Sequence, residues 1–291
     1  TALYALFSRS PRVVTFFSMG INQSTSGVDK GNAIINCHLA SGKIGREGCG
    51  PFSITGQPNA MGGREVGGLS NMLAAHMDID NPQHRDTVAS FWQAPALAEK
   101  PGLKAVDMFK AAAVGKIKVL WIMATNPVAS MPNRALVEAA LKRCELVVVS
   151  DTVADNDTLK FADIALPATG WSEKNGTVTN SERRISRQRG LLTPAGESRH
   201  DWEIISAVAR KMGFENAFSY THPAQIFSEH CQLTARENHH NRALNLAPLA
   251  ELSISQYDNL APVQWPLAEF HRCGQQRVFS DGRFYTADAR A

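Results

Sequence analysis

The chain has 291 residues, enough for about two domains of ordinary size or one large one. Apolar residues make up 44% and charged residues 20%, which excludes wholesale disorder. Lysine and arginine exceed aspartate and glutamate by 30 to 27, and a net charge of +3 gives no electrostatic case for nucleic acid or an anionic membrane.

No apolar run reaches the roughly eighteen residues a membrane-crossing helix needs. The cysteines (Cys37, Cys49, Cys144, Cys231 and Cys273) are odd in number and form no C-x-x-C pair. That argues against a disulfide framework or a zinc ribbon and suits a reducing compartment. The apolar opening after Thr1 has neither a basic flank nor a cleavage site, so it does not read as a signal peptide. With its abrupt start and its FYTADARA end, the chain is expected to be a piece of a longer polypeptide.

Residues 12–18 (RVVTFFS) are β-branched and aromatic and predict a strand, followed by a polar loop. A helix is expected over 28–40, with Ile34, Ile35 and Leu39 on its apolar side and Gly42 as its stop. The glycine-rich stretch 42–68 reads either as a linker or as a loop held close to a ligand. Its Phe52, Ile54, Gln57, Asn59, Met61 and Arg64 favour the loop. Segments 70–77, 83–93 and 103–114 are expected to be helical.

Next come a strand at 118–124, a helix at 133–144, a strand at 145–150, a short helix at 155–162 and a strand at 163–166. This alternation predicts an α/β fold, a parallel Rossmann-like sheet flanked by helices. Residues 170–200 read as mostly irregular. Helices are expected at 201–212, with Asp201 at its start, and at 223–232; 241–291 reads as a long connection with little core of its own.

In open parallel sheets, ligands bind beyond the carboxyl ends of the strands. That singles out Thr125-Asn126-Pro127 and Ser150-Asp151 as nucleotide contacts, though both are also ordinary turn and cap residues. No G-x-G-x-x-G follows a strand and no P-loop signature exists, so ordinary NAD and P-loop chemistry are not expected. Nor is there a G-x-S-x-G elbow or an H-E-x-x-H pair. The histidines read as surface or packing residues, the adjacent His239 and His240 included. The basic run Arg183, Arg184, Arg187 and Arg189 reads as a solvated face, or else as a phosphate or partner contact. Lys174, in the turn EKNG, is one point charge suited to a phosphate.

The ordered segments SMGINQSTSG, HLASGKIGREGCGPFSITGQPNAMGGREVGG, WIMATNP, VVVSDTVADNDTLKFADIALPATGWSEKNGTVTNSERR and DWEIISAVARKMG together resemble the molybdopterin oxidoreductases of the dimethyl sulfoxide reductase family. Within it the likeness is greatest to the nitrate reductases, the assimilatory type first and the periplasmic type next. It covers residues 1 to about 240 and continues weakly into the tail.

The resemblance implies a larger enzyme holding molybdenum between two molybdopterin guanine dinucleotides (bis-MGD). This chain would match only its middle. Residues 1–57 would be the end of an α/β cofactor-binding domain, 58–240 a Rossmann-like dinucleotide-binding domain and 241–291 a connection toward a C-terminal barrel. The [4Fe–4S] cysteines and the molybdenum ligand of the family have no counterpart among the five cysteines, so no metal ligand is assigned.

By resemblance, Met19, Gln23, Asn126, Ser150, Asp151, Lys174 and Asp201 hold the dinucleotide. Thr55, Gln57 and Arg64 shape the substrate end, where Arg64 would orient a small planar anion. Formate dehydrogenases of the family tend to carry arginine at the place of Thr55, so Thr-Gly-Gln favours nitrate over formate. The implied activity is reduction of nitrate to nitrite in the cytoplasm, with nitrate as the small-molecule partner. The electron donor stays unassigned. The alternatives are another reductase or formate dehydrogenase of the same family, and a non-catalytic binding or assembly module.

Overall fold

The computed structural model describes residues 2–267, 277–286 and 288–291; Cys273 lies outside them. The chain divides into two compact units that interleave in sequence. One contains 1–97, 177–187 and 226–291, the other 98–176 and 188–225. Of the segments expected from the sequence, 1–57 and 241–291 fall in the first unit and 58–240 contributes to both.

The unit built on 98–176 and 188–225 carries three parallel strands, Val119–Met123, Leu146–Asp151 and Ile164–Pro167, side by side in chain order. Leu120, Ile122, Val147 and Val149 are buried from these strands, against Phe109 and Ala112 of helix Ala105–Ala113 and Val137 and Leu141 of helix Arg134–Arg143. Burying each such side chain contributes roughly 1.5–3 kcal/mol. Asn133 starts the second helix by accepting from the Leu136 amide at 3.3 Å. The helix expected over 155–162 contracts to a single 3₁₀ turn, Leu159–Phe161. Helix Asp201–Lys211 is capped by His200, not by Asp201. The His200 amide donates to the Glu203 carboxylate at 3.1 Å, which moves Asp201 into the first turn.

The other unit holds a parallel pair, Val14–Phe17 with Gly50–Ser53, joined through helix Gly27–Ala40. That helix buries His38 rather than Ile34, Ile35 or Leu39, and Ile35 is exposed. The His38 ring stands 2.8 Å from the Thr15 hydroxyl and edge-on to Phe7.

Residues 70–77 are not a helix. Met72–Leu73 and Met77–Asp78 form a small antiparallel hairpin around a 3₁₀ turn, in which Ala75 and His76 both take left-handed backbone angles. Residues 170–200 are not wholly irregular, because Gly176–Thr179 and Arg184–Gln188 are strands in a three-stranded sheet completed by Val263–Gln264. Nor is 241–267 a bare connection. Leu244, Leu246, Leu249, Tyr257, Val263, Trp265 and Leu267 are all buried. Leu246 is tied through its amide to Thr234, and Tyr257 packs on Phe227, both in helix Pro223–Ala235.

The arginine run is only in part a solvated face: Arg189 is exposed and Arg184 partly so, but the other two pack on aromatic rings. Arg183 lies over the Trp265 ring, and Arg187, its side chain 2% exposed, lies over Tyr257 and pairs with Asp258 at 3.0 Å.

Candidate functional site

Two groups of site residues form, one in each unit. In the three-stranded sheet, the pairings Met123 with Ser150 and Asp151 with Pro167 align the carboxyl ends of the strands. The segments carrying Asn126, Asp151 and Lys174 therefore leave one edge of the sheet. Ala124, at φ 53°, turns the chain out of the first strand, and its amide donates to the Ser150 carbonyl at 2.9 Å.

Asn126 accepts from the Thr158 hydroxyl at 2.7 Å. That hydroxyl accepts in turn from the Val128 amide at 3.2 Å. Asp151 accepts from the Thr152 amide at 2.6 Å through one oxygen and from the Asn156 amide group at 2.8 Å through the other. Its carboxylate is thereby held in one orientation with lone pairs to spare. Ser150 sits differently from the other expected contacts. It is fully buried and its Oγ accepts from the Trp121 indole N–H at 2.8 Å, so the hydroxyl faces inward.

Lys174 and Asp201 form an ion pair at 2.7 Å. Glu173 holds the loop before Lys174. One carboxylate oxygen accepts from the Gly170 amide at 2.6 Å and the other from the Ala195 amide at 3.0 Å. The Leu191 amide donates to the Ser172 carbonyl at 2.7 Å. Sequence reasoning passed over Glu173; the signal was a carboxylate three residues after a glycine that opens a turn.

In the other unit, Met19 and Gln23 follow strand Val14–Phe17, and Thr55 and Gln57 follow its partner Gly50–Ser53. The pairing of Phe17 with Ser53 sends both loops off the same edge. The Ser18 hydroxyl fastens them by donating to the Ile54 carbonyl at 2.7 Å. Met19 is 58% exposed, Gln23 and Gln57 are exposed, and Thr55 is half-buried. Arg64 is exposed on the short helix Ala60–Glu65 that follows.

Beneath Arg64 lies a set of polar side chains that the sequence did not single out. Glu65 is buried. One of its oxygens accepts from the Trp265 indole N–H at 2.6 Å and the other from the Thr179 hydroxyl at 2.8 Å. Burial pushes this carboxyl above its usual range, and those two hydrogen bonds oppose the push. The His76 ring meets Trp265 edge to face at 5.7 Å. Burial first, then the Arg242 and Arg64 guanidiniums, hold its pKa down, so His76 is neutral at pH 7. Among the described residues no group of three or more His, Cys, Asp or Glu is placed to hold a metal ion, and no helix is long and apolar enough to cross a membrane.

The sequence profile of the family described as Molybdopterin oxidoreductase matches residues 2–211. A nitrate reductase of Klebsiella oxytoca is 53% identical over 285 residues, covering 94% of this chain and 33% of that protein. A nitrate reductase of Shewanella frigidimarina is 52% identical over 295 aligned positions, covering all of this chain and 31% of its own length. The assimilatory nitrate reductase catalytic subunit of Bacillus subtilis is 33% identical, over 94% of this chain and 38% of that protein. The chain thus spans about a third of the length of these relatives.

Proposed function

Because this chain belongs to the molybdopterin oxidoreductase family, we infer that it is the nucleotide-holding segment of a molybdenum-dependent nitrate reductase. The family implies a molybdenum–molybdopterin cofactor, and we assign its form as the bis-guanine dinucleotide. When bound, the cofactor supplies the two-electron chemistry by which nitrate gives up an oxygen atom and becomes nitrite.

The observation that carries this reading is the polar edge of the three-stranded sheet. Asp151 presents fixed acceptor oxygens suited to the N–H groups of guanine or to a ribose. Lys174 supplies a point charge for the pyrophosphate, and Asp201 holds its ammonium in place. Asn126 adds an amide donor. These donors and acceptors fit the nucleotide end of the cofactor, while the described residues offer no cluster for the metal. In the other unit, Met19 and Gln23 line a second stretch of dinucleotide. Thr55, Gln57 and Arg64 face the oxyanion, which the planar Arg64 guanidinium attracts and orients. We place the whole protein in the cytoplasm and assign any [4Fe–4S] cluster to another part of it, because the described residues bring together no group of three or more His, Cys, Asp or Glu.

The test is calorimetric titration of this chain with GDP, standing in for half of the dinucleotide. Saturable binding that Asp151→Ala abolishes supports the reading. Undiminished binding by that variant, or none by the unaltered chain, overturns the assignment of this edge. In the full-length protein, nitrate and formate turnover are compared. Formate oxidation without nitrate reduction overturns the substrate.

A further inference from the structure

We propose that Glu65 is a positioning residue, whose buried side chain sets the direction of Arg64 by tying helix Ala60–Glu65 to Thr179 and Trp265. The inference rests on the reading of Arg64 as the group that orients the oxyanion.

The helix has six residues, far too few to hold itself in water. Its first residues have no side-chain cap. Asn59, at the cap position, instead accepts through its side-chain oxygen from the Thr179 backbone amide at 2.9 Å. At the other end of the helix Glu65 accepts from the Thr179 hydroxyl at 2.8 Å and from the Trp265 indole at 2.6 Å. Both ends of the helix are therefore fastened to Thr179, one through its backbone and one through its side chain. A Cβ at Gly62 would overlap the Asn59 side-chain oxygen, so the helix backbone lies directly on this tie.

Successive helical residues point about 100° apart, so the bond that draws Glu65 inward turns Arg64 outward. Trp265 is itself braced, by the Arg183 side chain donating to its carbonyl at 3.0 Å and by the His76 ring against its face. Burying a carboxyl is expensive, and an apolar side chain of similar volume often serves stability as well or better. What the carboxyl supplies here is one fixed orientation of a helix too short to choose its own.

The substitutions separate orientation from stability. Glu65→Leu removes both hydrogen bonds and keeps an apolar filling. Glu65→Gln keeps both, because its oxygen accepts from Trp265 and the Thr179 hydroxyl can turn to accept from its amide. Thr179→Val removes one tie without touching the helix, and serves if Glu65→Leu fails to fold.

In this chain, Glu65→Leu is expected to speed amide exchange across 59–66 by about tenfold more than elsewhere, beyond the general loss of stability from stranding the Trp265 indole, with Glu65→Gln close to the unaltered chain. In the full-length protein, Glu65→Leu is expected to raise KM for nitrate about tenfold with kcat less affected, and to add nothing further once Arg64 is alanine. Unchanged exchange and unchanged KM in Glu65→Leu and Thr179→Val overturn the inference. So does a loss that persists in full in the Arg64→Ala background. If Arg64→Ala raises KM and Glu65→Leu does not, the role of Arg64 stands and the inference alone fails. If Arg64→Ala leaves KM unchanged, both fail.

Discussion

Lys174 Nζ lies 2.7 Å from Asp201 Oδ2, with each side chain 29% exposed. The pair joins the loop after the third parallel strand to the first turn of helix Asp201–Lys211. An ion pair this open to water adds little to stability, usually less than about 1 kcal/mol. In the function proposed above, it holds an ammonium still beyond the strand ends while leaving it within reach of a second anion.

Lys174→Ala should therefore weaken GDP binding far more than folding. The expected loss is about tenfold in affinity, with stability changed by less than about 1 kcal/mol. Because the ammonium acts as a partly exposed charge, the difference between variant and unaltered chain should shrink as salt rises from 0.05 to 0.5 M, values chosen to take the Debye length from about 14 Å to about 4 Å. Calorimetric titration at the two salt concentrations measures both effects. A salt-independent loss would assign Lys174 a purely structural part.

Ser150 and Asp151 are neighbours with opposite expected behaviour. Ser150 is buried and engaged by the Trp121 indole, whereas Asp151 is half-buried and its oxygens accept from Thr152 and Asn156 in the loop beyond the strand. Ser150→Ala strands an indole N–H and should cost about 1 kcal/mol in a urea titration. Its GDP affinity should stay within about threefold of the unaltered chain, since a hydrogen bond turned inward has little to give the ligand. A larger loss of affinity than in Asp151→Ala would reverse these assignments.

The three-stranded sheet was legible because its strands are short apolar runs bounded by turn residues, and Asn133 announced the helix between two of them. The polar loops beyond those strands, proposed above as the nucleotide edge, were legible for the same reason, since strand ends locate them. The strand Arg184–Gln188 was not legible. Its sequence RISRQ is polar, its near partner Gly176–Thr179 (GTVT) is a four-residue run opened by glycine, and its other partner Val263–Gln264 lies some eighty residues on, where no local pattern reports it.

The hairpin at 72–78 defeated the helical reading because Ala75 and His76 adopt left-handed angles that nothing in their side chains requests. Leu244 and Leu246, both fully buried two residues apart, belong to an irregular segment tied to helix Pro223–Ala235 rather than to a periodic element. Glu65 escaped notice because a glutamate beside an arginine reads as surface until Thr179 and Trp265 are brought to it.

His230 makes stability depend on pH with a definite sign. Burial, aided by His76, holds its pKa down to about 4 against 6.5 in an open chain, and its Nε2 has no hydrogen-bond partner. Between those two values the unfolded chain binds a proton here that the native chain does not. Stability should therefore fall as pH falls through this window, by at most about 3 kcal/mol from this residue. Glu65 runs the other way. Its raised carboxyl keeps a proton above 4.5 that the unfolded chain has released, so its contribution falls as pH rises. His230→Leu isolates the first effect. Its stability between pH 6.5 and 4 should decline less steeply than that of the unaltered chain, and equal slopes would show that His230 is not buried neutral.

Two glycines flanking Arg64 should respond to the same substitution with opposite signs. Gly67 has φ +76°, and a Cβ there would come within 2.6 Å of the Ala74 amide nitrogen, a backbone atom that cannot swing aside. Gly67→Ala must both strain the backbone and push helix Ala60–Glu65 off the turn at Ala74–His76, for a loss of about 2 kcal/mol or more. Gly63 lies inside the helix with nothing within 4 Å of a Cβ. Gly63→Ala removes conformational freedom from the unfolded chain and should stabilise by about 0.5–1 kcal/mol. Guanidinium titration of both variants, under one set of conditions, reads the contrast directly. If both destabilise, the helix carrying Arg64 needs glycine at 63 for some contact beyond this chain. If neither does, the close approach at Ala74 is softer than its backbone distance implies.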